Sequence, residues 1–173
     1  MLLVMIYFSP YGTKEGFSGK LVCTKITIKA PVKTVFDYLG DSKNAVNWST
    51  FVHHISPINA EQFNDGEVGS QRRCFKNADE KGIVWDEEII ENLPNKKRKL
   101  SIFNAKGFPL YAENLRTEQI YSVLDPQKCG LSFSLFFEPS ISTWLDELKM
   151  YFAAYWVDSI FKKNLENIKR DNE

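Results

Sequence analysis

The apolar positions of the chain change period as it is read from one end to the other. From Leu21 to Lys29 they alternate, with Val22, Ile26 and Ile28 on one face and Cys23, Lys25, Thr27 and Lys29 on the other, as in a half-buried strand. After Pro31, suited to a first helical position, Val32, Val35, Phe36 and Leu39 recur at helical spacing until Gly40. A second short helix opening at Asp41 or Ser42 carries Val46 and Trp48. Residues 53–139 show no long helical period. Short runs predict strands near 53–63, 70–75, 83–93, 97–105, 113–124 and 129–138, an antiparallel meander. The turns between them hold the Gly, Pro, Asn or Asp that tight turns need, as in Asn64-Asp65-Gly66, Asn77 to Gly82 and Asp125-Pro126.

The final stretch differs. Ser140, Ser142 and Thr143 offer an N-cap, Asp146 and Glu147 place negative charge in the first turn, and no Gly or Pro follows. A helix over 142–169 runs roughly 40 Å, enough to cross a small domain. Trp144, Leu145, Leu148, Tyr151, Phe152, Tyr155 and Trp156 fall on one side of it, with Met150, Ala154, Val157, Ile160, Phe161, Leu165 and Ile168 opposite. Only the second stripe reaches the end of the helix, so it is the face expected to meet the core. The first leaves an apolar patch to be covered by a late start or kink of the helix, by the N-terminal arm, by a second copy in a homodimer, or by a membrane. Membrane contact ranks last, because no basic residues flank the patch.

The elements add up to an α+β, helix-grip fold. A seven-stranded curved antiparallel sheet and two short helices accompany a long C-terminal helix that grips the sheet around a cavity. Residues 1–20 are an N-terminal arm and residues 21–173 a single domain. The apolar run 1–8 is too short to span a bilayer and lacks the flanks of a secretion signal, so it is expected as an extra strand or tucked arm, or as the remnant of a truncated anchor. Residues 11–20 carry three glycines and read as a mobile lead-in.

Composition sharpens this. Aromatic residues make up 14% of the 173, enough for a large apolar interior or pocket. Lys plus Arg equals Asp plus Glu at 22 each, which gives no electrostatic case for nucleic acid. Cys23, Cys74 and Cys129 form no metal or disulfide pattern, and a cytoplasmic location is the simplest expectation. His53 and His54, as successive strand residues, are expected to point to opposite faces, so no metal site follows. No cofactor motif, nucleophile elbow or phosphate loop is present. The KKRK run at Lys96 to Lys99 reads as a solvated hairpin turn.

Five phrases together resemble the START-like superfamily called SRPBCC. They are ITIKAPVKTVFDYLGD (26–41), NWS (47–49), GEVGSQR (66–72), WDEEIIE (85–91) and NLENIK (164–169). The superfamily includes polyketide cyclase-like proteins, the birch-pollen allergen group and the plant abscisic-acid receptors, and the resemblance spans Leu21 to Arg170. It implies a helix-grip fold holding an apolar or amphipathic small molecule. Some relatives catalyse ring closures or hydrolyses, others carry or sense ligands, and co-chaperone relatives act through protein contacts.

Candidate ligand-binding residues follow from parity and from that resemblance. If Trp85 faces inward, Glu87 goes with it, and a carboxylate in an apolar cavity suits acid or base work or the holding of a polar ligand group. The alternative is a solvated acidic strand face. The resemblance also matches Glu87 to a pocket glutamate of the plant receptors and Arg72 to a basic residue that often points into the cavity. Arg72 could pair with Glu87 across neighbouring strands. Phe75, however, shares parity with Arg73, so a core Phe75 would send Arg72 to water. Trp48, Phe133 and Tyr155 are expected near the cavity, or in plain core packing. The loops 77–82 and 106–111 correspond in topology to the receptors' gate and latch.

Three functions compete: binding or carriage of a lipid-like or polyketide-like molecule, catalysis of the polyketide cyclase/dehydrase or hydrolase type with Glu87 as acid or base, and a co-chaperone-like interaction module. The absence of a recognisable nucleophile in the sequence favours binding.

Overall fold

The computed structural model describes residues 2–13, 19–108, 112–139 and 143–173. Among the described residues, eight strands form one antiparallel sheet in the order β1-β2-β8-β7-β6-β5-β4-β3. They are β1 (Gly12–Thr13), β2 (Lys20–Ile28), β3 (His54–Pro57), β4 (Gln71–Phe75), β5 (Val84–Leu93), β6 (Lys97–Lys106), β7 (Ala112–Asp125) and β8 (Lys128–Pro139). The expected seven become eight because Gly12 and Thr13 add a two-residue edge strand against Leu21 and Lys20. The strand expected over 53–63 shrinks to four residues, since from Ile58 the chain turns and Asn59 ties that turn to Gly69 and Gln71.

The helices are α1 (Leu2–Tyr7), α2 (Val32–Gly40), α3 (Ala45–Trp48, after a 3-10 turn at Ser42–Asn44) and α4 (Trp144–Asn172). Residues 2–7 are therefore a short helix rather than a strand, and the arm tucks onto α4. Met5 presents its carbonyl to the Tyr155 hydroxyl at 2.8 Å, and Ser9 Oγ donates to the Tyr151 carbonyl at 3.3 Å.

Thr143 caps α4 reciprocally. Its hydroxyl accepts from the Asp146 amide at 3.3 Å, and the Asp146 carboxylate accepts from the Thr143 amide at 3.1 Å. Of the other expected caps, Ser140 and Ser142 lie outside the described residues. Met150, Ala154, Val157, Leu165 and Ile168 are buried, so the stripe that runs to the helix end is the one facing the core. The opposite stripe is only partly covered. The arm shields Tyr151 and Tyr155, while Trp144 stays 72% exposed, Leu145 49% and Phe152 42%.

The core divides in two along α4. One cluster joins Ile28, Val35, Phe36, Tyr121 and Leu131 to Leu165 and Ile168, and so packs α2 and the end of α4 on the sheet. The other joins Val22, Leu115, Leu135 and Phe137 to Met150, Ala154 and Val157. Both clusters fill the side of the sheet near β2 and β8. The space between α4 and the β4–β6 side of the sheet remains open.

Candidate functional site

That space is a cavity of about 140 Å³, walled by the inner faces of β4 to β8, by α3 and the loop after it, and by the middle of α4. Its size is close to that of apolar cavities of roughly 150 Å³ that take up a benzene-sized molecule. Of the residues expected there, Trp48, Arg72, Trp85, Glu87 and Phe133 line it. Tyr155 does not. Its hydroxyl is spent on the arm, and the next residue, Trp156, one 100° step around the helix, faces the cavity instead.

Arg72 points inward although Phe75 is buried. Phe75 is buried on the outer face instead, where the His54 ring stacks on it at 4.5 Å, so its burial does not send Arg72 to water. Two ion pairs therefore lie back to back across the β4–β5 ladder, which sets Arg72 opposite Glu87 and Arg73 opposite Asp86. On the outer face Arg73 grips Asp86 through Nε at 2.7 Å and Nη2 at 2.9 Å, with Asn104 adding a bond at 2.9 Å. Arg73 above all, helped by Asn104, holds the Asp86 carboxyl below its ordinary range. On the inner face Arg72 donates to Glu87 Oε2 through Nε and Nη2, both at 2.9 Å, and Trp85 Nε1 donates to Glu87 Oε1 at 2.8 Å. Burial works against the Arg72 charge, but Glu87, with smaller help from Cys74 and Asp65, offsets it, and the guanidinium holds its proton more firmly than usual.

Cys74 sits beside this pair in the cavity wall. Burial first, and Glu87 next, push its thiol well above the usual range, so at neutral pH it is a packed thiol and not a nucleophile.

Four aromatic rings from four segments flank the partly open mouth of the cavity. Phe51 stacks on Trp85 at 5.3 Å and meets Phe108 and Trp156 edge-on at 5.8 and 5.3 Å, and Trp85 meets Phe108 at 5.5 Å. Lys76 Nζ lies 5.1 Å from the Phe51 ring centre, within cation–π range. The loop carrying Phe51 is tied to α4 by two asparagines. Asn164 Oδ1 accepts from the Thr50 amide at 2.8 Å and its hydroxyl at 3.0 Å, and Asn167 Nδ2 donates to the Trp48 carbonyl at 3.1 Å.

The loops after β4 and β6 touch each other here. Gly107 has φ +72°, and a Cβ placed on it would meet the Gly82 carbonyl at 3.2 Å, so glycine permits both the turn and the approach. Of the segment expected as a latch, residues 109–111 lie outside the described residues.

Two expectations outside the cavity need correcting. His53 and His54 do not diverge: their Nδ1 atoms are 3.1 Å apart, because β3 begins only at His54 and His53 lies in the bend before it. Nor is the KKRK run wholly solvated. Lys97 and Lys99 pair with Glu91, and Arg98 is only 3% exposed, aimed inward between the sheet and α2. The signal for Arg98 was parity with Leu100 and Ile102, both of which line the cavity. Gln119, directly across the β6–β7 ladder from Arg98, lines it too.

A curved antiparallel sheet gripping one long helix around an internal cavity defines the helix-grip class of START-like proteins. The chain belongs within that class to the family described as "Polyketide cyclase / dehydrase and lipid transport", whose profile matches residues 21–173. Similar solved structures include the Zhui aromatase/cyclase from Streptomyces sp. R1128, with 13% identity, 89% of this chain and 93% of that one covered, and a TM-score of 0.67. A START superfamily protein from Mycobacterium smegmatis matches with 14% identity, coverage of 87% and 97%, and a TM-score of 0.65. The protein XoxI from Bacillus cereus matches with 17% identity, coverage of 88% and 94%, and a TM-score of 0.64. At these identities the likeness is one of fold. No curated protein matches the sequence.

Proposed function

We propose that this protein binds and carries a small apolar molecule in the cavity between α4 and the sheet. The observation that carries the reading is the cavity itself, largely apolar, about 140 Å³, and lined by the Phe51, Trp85, Phe108 and Trp156 rings. The family's description, which names lipid transport beside cyclase and dehydrase chemistry, supports it. Native mass spectrometry of freshly purified protein tests it, together with an NMR titration against toluene. A co-purifying small molecule, or toluene-induced shifts at cavity residues, supports carriage. An empty protein whose cavity residues do not respond to toluene rejects it.

A cyclase-type enzyme is the second reading, favoured by the charged Arg72–Glu87 pair in an otherwise apolar wall. It is the weaker one, because both Glu87 oxygens already accept hydrogen bonds from protein donors, an arrangement suited to holding the wall in shape. A homodimer through the exposed Trp144, Leu145 and Phe152 is a separate proposal, compatible with either reading. Analytical ultracentrifugation that finds only monomer at high micromolar concentration rejects it.

A further inference from the structure

Arg98 is the one described arginine that is both almost wholly buried and without a carboxylate partner among the described residues. Its Nη1 reaches only neutral acceptors, Gln119 Oε1 at 3.3 Å and the Tyr121 hydroxyl at 3.4 Å. Nη2 reaches the Phe36 carbonyl at 3.5 Å. Its Nε has no partner among the described residues. An arginine side chain stays protonated in proteins, so this is a buried positive charge held by long, neutral contacts and by the face of the Phe36 ring at 4.5 Å. Such a charge is costly unless something compensates it.

The groups next to Arg98 show where compensation can come from. Gln119 Oε1 accepts from both Arg98 and the Tyr121 hydroxyl, the latter at 2.6 Å, which fixes the amide with its oxygen away from the cavity. Its Nε2 hydrogens are left as donors on the cavity side, with no acceptor among the described residues. Phe133 is the cross-strand neighbour of Gln119, and the Trp48 indole packs on Phe133 at 5.8 Å. The Trp48 Nε1 hydrogen is likewise buried and without an acceptor among the described residues. Of the two acids in the cavity wall, Glu87 is matched by Arg72, and Glu118 lies 3.6 Å from Lys99. This end of the cavity thus offers unpartnered donors with a surplus positive charge behind them.

We infer that the ligand is a small apolar carboxylate whose charged oxygens accept from Trp48 Nε1 and Gln119 Nε2, with Arg98 behind Gln119 supplying the compensating charge and the apolar part lying toward the Trp85–Trp156 mouth. The inference rests on the binding reading above and specifies its ligand.

The test compares benzoate and hexanoate with their uncharged counterparts, benzyl alcohol and hexan-1-ol, by NMR titration of the whole chain. The wild type is expected to bind each carboxylate about tenfold or more tighter than its alcohol, the size of one or two charge-assisted hydrogen bonds. Arg98→Met, and Trp48→Phe, which removes the indole N–H and keeps an aromatic ring, should each weaken carboxylate binding by about tenfold and leave the alcohols within about twofold. If Arg98→Met does not fold, Trp48→Phe decides alone. Alcohols bound as tightly as carboxylates by the wild type, or a carboxylate preference that survives substitution, overturns the inference. Toluene and the alcohols binding while the carboxylates do not overturns it and leaves the binding reading standing; none of the probes binding overturns both.

Discussion

The indole of Trp85 donates to the carboxylate of Glu87, two residues further along the same strand, at 2.8 Å. Side chains at i and i+2 share a strand face, so the contact pins Glu87 over the cavity wall, where its other oxygen meets Arg72 on the neighbouring strand. Glu87→Gln is therefore predicted to destabilise the protein by about 2–4 kcal/mol, since the Arg72 guanidinium then stays in the wall without its counter-charge. Urea denaturation measures it. A Glu87→Gln, Arg72→Met double variant should recover part of the loss.

The outer pair gives a pH prediction. Asp86 is 2% exposed and its folded carboxyl is held below the ordinary range by Arg73, so its contribution to stability is present above the unfolded value of about 3.9 and is lost as pH falls through the lower folded value. Asp86→Asn should flatten the acid limb of a stability–pH curve measured by urea midpoints between pH 2 and 6. An unchanged limb would mean that other carboxylates carry it.

Asn164 holds the mouth loop by bonds to Thr50 rather than by packing. Asn164→Ala is predicted to cost about 1–2 kcal/mol and to speed hydrogen exchange at the Thr50 amide selectively. Amides of the β7–β8 ladder should keep their protection apart from the change in global stability.

Phe51 is the ring common to three contacts at the mouth. Phe51→Ala should shift tryptophan emission to the red, as Trp85 and Trp156 meet water, and should raise both entry and exit rates of a neutral probe such as benzyl alcohol more than its affinity. Line-shape analysis of the titration separates rate from affinity. Gly107→Ala is expected to disturb the same mouth from the other side, through the positive φ and the Gly82 carbonyl, at about 1 kcal/mol or more.

The elements that periodicity could reach were legible. The alternation around Val22 to Ile28, the spacing of Val32 to Leu39 and the unbroken run after Thr143 each report one face in contact with a core. Trp48, Trp85, Glu87 and Phe133 were found in the same way, because an inward strand or helix position next to a cavity is an inward position first. What escaped was set by contacts between segments distant in sequence. Phe51 and Phe108 sit in loops that have no period, and Tyr155 and Trp156 are helix neighbours one 100° step apart, the first meeting α1 and the second the cavity. Arg98 was hidden by composition: three lysines around it suggested solvent, while its parity with Leu100 pointed inside.

The sheet order has a consequence for how the molecule is made. β2 finds no partner but the two-residue β1 until β8 arrives, about a hundred residues later, and α4 follows β8. During synthesis the first long strand therefore waits unpaired while the meander from β3 to β7 assembles beside it, and the cavity has no lid until α4 emerges. Closure of the cavity by α4 thus depends on docking between segments distant in sequence rather than on local contacts, and a compound present when α4 docks can be enclosed without passing the aromatic mouth.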